Sequence, residues 1–353
     1  MNRAAATRPS RDSWLDRFFD RIPVAPVWVG AGLSLALIGL FLALVTATGD
    51  LARFLEGQEA WWEARDGRLG VLLALLAGYV VAARRYARLG VRSYLAELRA
   101  GLDWPRRDFE AAARDLEHLE PGRVRWAGLA GALMVPVLGL LVDRDPLVYF
   151  QPGHWGGANS WVWLVGAVAA WNGGCLFYAV VTYGRRFSSL AGRIPAIDLF
   201  DLTPLAPFAR QGLRSALPGL ILLSFFALNS LDRGFFWAVG LMGTLSLAAV
   251  TAALLLPMGG VRRRIRAVKQ DELARVDAAI RGDASGLAES AIARRSGAVS
   301  IADLLAYRSF VQSVREWPFD APTRLRMLLY LGIPVGSWLG GAFVERLLDQ
   351  ILG

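Results

Sequence analysis

Along the 353 residues, charge-free apolar stretches alternate with short segments dense in arginine. A membrane-spanning helix needs about 20 mostly apolar residues. Seven stretches approach or exceed that length: Val24–Ala47, Leu69–Ala83, Trp126–Val142, Trp161–Tyr183, Ala216–Leu231, Phe235–Pro257 and Met327–Val344. The second, third and fifth are short, and arginines at their ends can extend them by snorkelling. The pattern predicts an all-α, polytopic helical membrane protein of about seven transmembrane helices. The last segment can span, re-enter or lie flat.

The polar segments between the spans are patterned too. Over residues 1–23, Trp14, Leu15, Phe18, Phe19 and Ile22 share one helical face opposite Asp12, Asp16, Arg17, Asp20 and Arg21. That is the pattern of a helix lying in the headgroup plane. The apolar run that follows exceeds the core of a signal peptide, so an uncleaved anchor is expected. Residues 84–125 continue the second span as a charged helix and restart at Asp103, an N-cap before Pro105. Phe109, Ala112, Leu116 and Leu119 then fall at spacings of 3, 4 and 3, which predicts an amphipathic helix packed under the bundle. Over 184–215, Thr203 is positioned to cap a helix opening at Pro204. Asp198 and Asp201 there suit turns better than acid–base work, having no histidine or metal set beside them.

Residues 258–326 read as a helix pair. Val261, Ile265, Val268, Val276 and Ile280 form the stripe of the first helix, which continues the sixth span past Pro257, Gly259 and Gly260, a candidate hinge. After a Gly- and Ser-containing link, Ser300 and Asp303 resemble a capping box opening a second helix that carries Leu304, Tyr307, Val311 and Val314. Each apolar seam is too narrow to be stable alone, so the helices pair with each other or with another subunit. The chain thus divides into an interfacial helix (1–23), a six-span bundle (24–257) with helical loops at 84–125 and 184–215, the helix pair (258–326) and a C-terminal span (327–353).

Composition supports this reading. Hydrophobic residues make up 55% of the chain, with 13 Trp and 37 Gly, types enriched in membrane spans and their interfaces. With the N-terminus placed in the cytoplasm, 33 of the 39 basic residues fall on the inner side and six on the outer side. By the positive-inside rule this gives an N-terminus in and, with seven spans, a C-terminus out, in the cytoplasmic (inner) membrane. The net charge of +9 is therefore a matter of topology, and no nucleic-acid partner is implied. The expected partner is a bilayer with anionic headgroups. Arg262, Arg263, Arg264 and Arg266 are candidate contacts to those lipids, or the lining of an anion-attracting vestibule.

Candidate chemistry is sparse. One cysteine and two histidines leave little for a zinc cluster, a catalytic triad or acid–base work, and no cofactor is expected. Asp143 and Asp145 form a short acidic pair before Pro146, best read as a solvated turn. The glycine-rich segment around His154 lacks the lysine of a phosphate loop. No ionisable residue falls inside the assigned spans, which argues against proton-driven transport. Asn172, at the middle of the fourth span, must either hydrogen-bond across helices or face a hydrated pore.

Gly332, Gly336 and Gly340 recur every fourth residue in the last span and leave a flat face. In lipid, close backbone approach supplies much of the association between helices. The partner helix belongs either to the same chain or to a second subunit. Two functions follow: a non-enzymatic, homo-oligomeric channel gated by the cytoplasmic helices, or a membrane scaffold or signal relay that does not conduct.

Overall fold

The computed structural model describes residues 24–50, 65–101, 106–142, 155–194, 197–229, 236–283, 285–295 and 299–317, together with Leu325, Leu329 and Gly332. The helix expected over 1–23, the Asp103 cap, Asp143, Asp145, His154, Gly336 and Gly340 lie outside the described residues. Among those described there are helices and turns and no strand. The α-helices are α1 (Pro26–Ala47), α2 (Arg65–Gly101), α3 (Arg106–Glu117), α4 (Pro121–Val142), α5 (Gly157–Leu190), α6 (Ala206–Asn229), α7 (Phe236–Ile280), α8 (Ala291–Arg295) and α9 (Ile301–Ser313). Five segments among them are long and apolar enough to cross a membrane: Pro26–Ala47, Gly67–Arg99, Phe109–Leu140, Gly157–Arg193 and Gly243–Ile280. Several of their large apolar side chains point outward, as in Leu35, Leu133, Leu164 and Val168, each more than half exposed. Helices sited in lipid lose nothing by that arrangement.

Consecutive long helices run antiparallel and approach closely through small residues. Gly30 lies against Gly78 and Ala82 where α1 crosses α2, while Phe41, further along α1, lies against Gly70, earlier on α2. Gly131 meets Ala170 and Gly174 meets Ala127 where α4 crosses α5. Gly212 meets Leu254 and Gly219 meets Val250 where α6 crosses α7. At each crossing a Cβ on the glycine would overlap its neighbour, so these positions need glycine for space. Helices α2, α5 and α7 consequently run in the same direction. The Trp161 Nε1–H donates to the Gly70 carbonyl at 3.2 Å, and Gly184 abuts Pro257.

Two cores result. One, away from the arginines, joins Phe41, Val45, Ala74, Ala158, Trp161 and Val165 of α1, α2 and α5. Asp50, just past α1, is buried beside it and accepts from the Ala158 N–H at 3.2 Å and the Thr48 hydroxyl at 3.0 Å. Helix α5 has no side-chain cap of its own at Gly156, so the carboxylate from α1 fills that role. The other core lies at the arginine-rich end. It gathers Val91, Leu95 and Leu98 of α2, Phe109, Ala112 and Leu116 of α3, Tyr183 and Phe187 of α5, Val261, Ile265 and Val276 of α7, and Leu304, Tyr307 and Val311 of α9. The amphipathic face of α3 thus packs beneath the bundle, and α7 and α9 pack on each other.

Helix α7 runs unbroken for 45 residues through Pro257, Gly259 and Gly260, a length of about 67 Å. It ends where Gly282 takes φ +100° and the Asp283 and Gly282 N–H groups return to the Ala278 and Ala279 carbonyls. This is a Schellman closure, which glycine adopts without steric cost. Helix α9 opens with the expected capping box: the Ser300 hydroxyl accepts from the Asp303 N–H, and the Asp303 carboxylate accepts from the Ser300 N–H.

One local expectation is corrected. Thr203 does not cap a helix at Pro204. A 3₁₀ turn spans Thr203–Leu205 and α6 starts at Ala206, with Asp201 accepting from the Thr203 N–H at 2.9 Å. The Asx bond tightens the entry ahead of two prolines that cannot donate. Helix α4 begins at Pro121 and so extends the short third span through the exposed Arg123 and Arg125, as the snorkelling reading allows.

Candidate functional site

The antiparallel path carries the basic ends of the long helices to one end of the bundle, beside the larger core. There stand Arg84, Arg85 and Arg88 of α2, Arg123 and Arg125 of α4, Arg185 and Arg186 of α5, Arg210 and Arg214 of α6, and Arg262, Arg263, Arg264 and Arg266 of α7. No other part of the described chain concentrates so much charge.

Asn172 belongs to this layer. Its Oδ1 accepts from Arg84 Nη1 at 2.9 Å, while its Nδ2 donates to the Val168 carbonyl one turn earlier, at 2.8 Å. Cys175, three residues on, donates its thiol to the Val124 carbonyl at 3.5 Å, level with Arg123 and Arg125. Asn172 therefore sits about one turn from the charged end of α4. The later part of α5, Ala179 to Phe187, enters the larger core.

The arginines of α6 take two different partners on α2. Arg210 Nη1 meets Glu97 Oε1 at 2.7 Å. Arg214 lies flat over the Tyr86 ring, 4.0 Å from its centroid, with Tyr94 at 6.0 Å, and donates from Nη2 to the Tyr86 carbonyl at 3.2 Å. On α7, Arg262 stacks over Trp317 at 4.7 Å and lies 3.6 Å from Glu316. Arg263 and Arg266 are exposed, whereas Arg264 is partly buried with its Nε enclosed. Arg186 Nη1 donates to the Asp115 and His118 carbonyls, gripping the end of α3.

Pro257, Gly259 and Gly260 lie where α7 approaches α5 most closely. A Cβ on Gly260 would overlap the Ser188 carbonyl, while one on Gly259 would come no nearer than 3.9 Å to the Ser188 hydroxyl. Gly332 is exposed, and a Cβ there would meet no atom within 4 Å among the described residues.

A second polar centre fastens α9 to α7. Glu272 is only 3% exposed. Its Oε1 accepts from the Ser290 hydroxyl, the Ala291 N–H at 2.7 Å and the Tyr307 hydroxyl at 2.8 Å, and Arg275 approaches Oε2 at 3.5 Å. Burial, and after it the bond to Glu272, pushes the Tyr307 phenol above its ordinary range, so it remains a donor through neutral pH. Lys269, the sole lysine, donates to the Gln312 and Val314 carbonyls at the C-terminal end of α9, where a cation is favoured. Arg308 and Asp277 add an ion pair at 2.7 Å. The sequence does carry a sign of Glu272: an acid occupies the apolar stripe between Val268 and Val276.

Among the described residues, no three His, Cys, Asp or Glu side chains are grouped to hold a metal ion. Asp198 and Asp201 accept from the N–H groups two residues on, each at 2.9 Å, and shape the turn. Comparison with protein-family models, with curated proteins and with solved structures returned no match to this chain.

Proposed function

We propose that this chain is a non-enzymatic, multi-pass protein of the cytoplasmic membrane that relays a change in its cytoplasmic helix pair into the membrane bundle. The carrying observation is the single 45-residue helix α7, seated in the α9-containing core at one end and against α5 and α6 at the other. A helix that stays continuous between two anchorages transmits displacement along its axis, and in α7 one rung of the hydrogen-bond ladder is missing, at Pro257. Seven spans with the N-terminus inside and the C-terminus outside complete the proposal, supported by the 33-to-6 partition of basic residues. Anionic lipids and further copies of the chain are the partners this reading implies. Reporters fused after Gly184, Arg281 and Arg308 should read cytoplasmic and one at Asn159 external. An external signal at Arg281 would overturn the arrangement.

A homo-oligomeric pore is the second reading, favoured by the recurrence of Gly332, Gly336 and Gly340 at every fourth position of the last apolar segment. Ion flux into liposomes holding the purified chain separates the two. The relay expects flux no greater than in empty liposomes, together with faster hydrogen exchange over 243–257 when α9 is loosened by Glu272→Ala. Measurable current would replace the relay with the pore. Unchanged exchange over 243–257 would remove the coupling itself.

A further inference from the structure

The contact between α2 and α6 holds an arginine, Arg214, that forms no ion pair with a carboxylate among the described residues. Arg214 is pinned on three sides: the Tyr86 ring below, the Tyr94 ring beside it, and the Tyr86 carbonyl accepting from Nη2. Its Nε is buried and has no hydrogen-bond acceptor among the described residues. Glu97 of α2 already pairs with Arg210. Residues 84–101 and 206–216 together carry seven arginines and that single acid. A buried guanidinium N–H without an acceptor is costly, and holding the group in a fixed orientation adds an entropic cost.

Gly90 makes the arrangement possible. A Cβ there would overlap Arg214 Nε and Cδ, so the side chain can lie flat on α2 only because residue 90 is glycine. The result is a planar fork held in place, with Nε enclosed against Gly90 and Nη2 given to the Tyr86 carbonyl. A fixed, planar guanidinium in a positive field matches two oxygens of a phosphate.

We infer that Arg214, framed by Gly90, Tyr86 and Tyr94, is a binding site for a phosphate group, supplied by the headgroup of an anionic lipid seated between α2 and α6. The site stands where the apolar parts of both helices end. One to two turns further along, Tyr79 donates to the Pro218 carbonyl at 2.6 Å and packs on Phe225, an apolar flank suited to an acyl chain. The site is separate from the exposed arginines of α7, which meet lipid only as a diffuse charge.

The test uses the full chain purified in neutral detergent and mixed with micelles containing phosphatidylglycerol or phosphatidylcholine, with retained lipid counted by native mass measurement. The wild type should retain phosphatidylglycerol in preference to phosphatidylcholine. Arg214→Gln should lower that retention about tenfold, the scale of one charge-assisted contact. Gly90→Ala should do the same without changing any charge, and Arg214→Lys should recover only part of the loss because a point charge lacks the fork. Arg263→Gln, on the exposed face of α7, should behave as wild type. Should Gly90→Ala fail to fold, the Gln and Lys variants at position 214 decide the matter. Excess inorganic phosphate identifies the source. Failure to displace the lipid supports a headgroup; displacement together with stabilisation of lipid-free protein assigns the site to free phosphate and overturns the lipid assignment. Equal phosphatidylglycerol retention by wild type and Arg214→Gln would overturn the site altogether.

Discussion

Gly260→Ala is expected to lower the thermal midpoint of the detergent-purified protein sharply and to reduce its folded yield, while Gly259→Ala leaves both unchanged or raises them. Both substitutions gain helix propensity, about 1 kcal/mol each. Only Gly260 lies directly on the Ser188 carbonyl, where an added methyl would overlap a backbone oxygen. A backbone atom inside α5 cannot rotate aside, so the helices must separate, at an overpacking cost of about 1–3 kcal/mol or more. The junction between the bundle and the arginine-end core would loosen with them. The pair also addresses the candidate hinge. If the two glycines serve flexibility, both alanines should stiffen α7 alike. If Gly260 serves close approach, only its substitution harms the fold. Size-exclusion profiles and melting curves measured side by side distinguish the cases, and identical stability for the two variants would refute the close-approach account.

The second large effect falls on Glu272. Glu272→Ala removes the acceptor shared by Ser290, the Ala291 N–H and Tyr307. Leaving buried donors unsatisfied costs about 1–3 kcal/mol each, so a loss of about 3 kcal/mol or more is expected. Glu272→Gln should be much milder, since its amide oxygen can take the place of Oε1, the atom that accepts all three bonds. The readout is trypsin cleavage after Arg294, which should quicken strongly in the alanine variant and little in the glutamine variant. Because the Tyr307 phenol is raised, its contribution to this fastening is complete through neutral pH and fades only as pH rises into the strongly alkaline range. Equal cleavage of wild type and Glu272→Ala would show that the linker is held by something else.

The pattern of apolar runs is enough to place the described long helices, because a helix in lipid must satisfy its own backbone and keep its length apolar. Local chemistry was equally legible where it acts within a few residues: the Ser300–Asp303 box, the amphipathic face of α3 and the stripe on α7 all follow from spacing along one chain segment. The glycine at 282 closes α7 for the same reason. None of these depends on knowing which helix lies beside which.

What only the tertiary structure decided depends on helix neighbours and their relative heights. Arg84 reaches Asn172, Asp50 caps α5, Arg214 lies on Gly90, and Glu272 collects donors from three later positions. Each joins groups at least 18 residues apart, and most sit on different helices. Hydropathy does not give the partner of each apolar turn either: the later part of α5, Ala179 to Phe187, joins the core shared with α3, α7 and α9. An apolar side chain reads the same whether it meets lipid or protein, so the sequence determined which segments are helices and which ends are charged. The crossing points, and therefore the partner of every buried polar group, came from glycine-sized gaps that only the packed helices reveal.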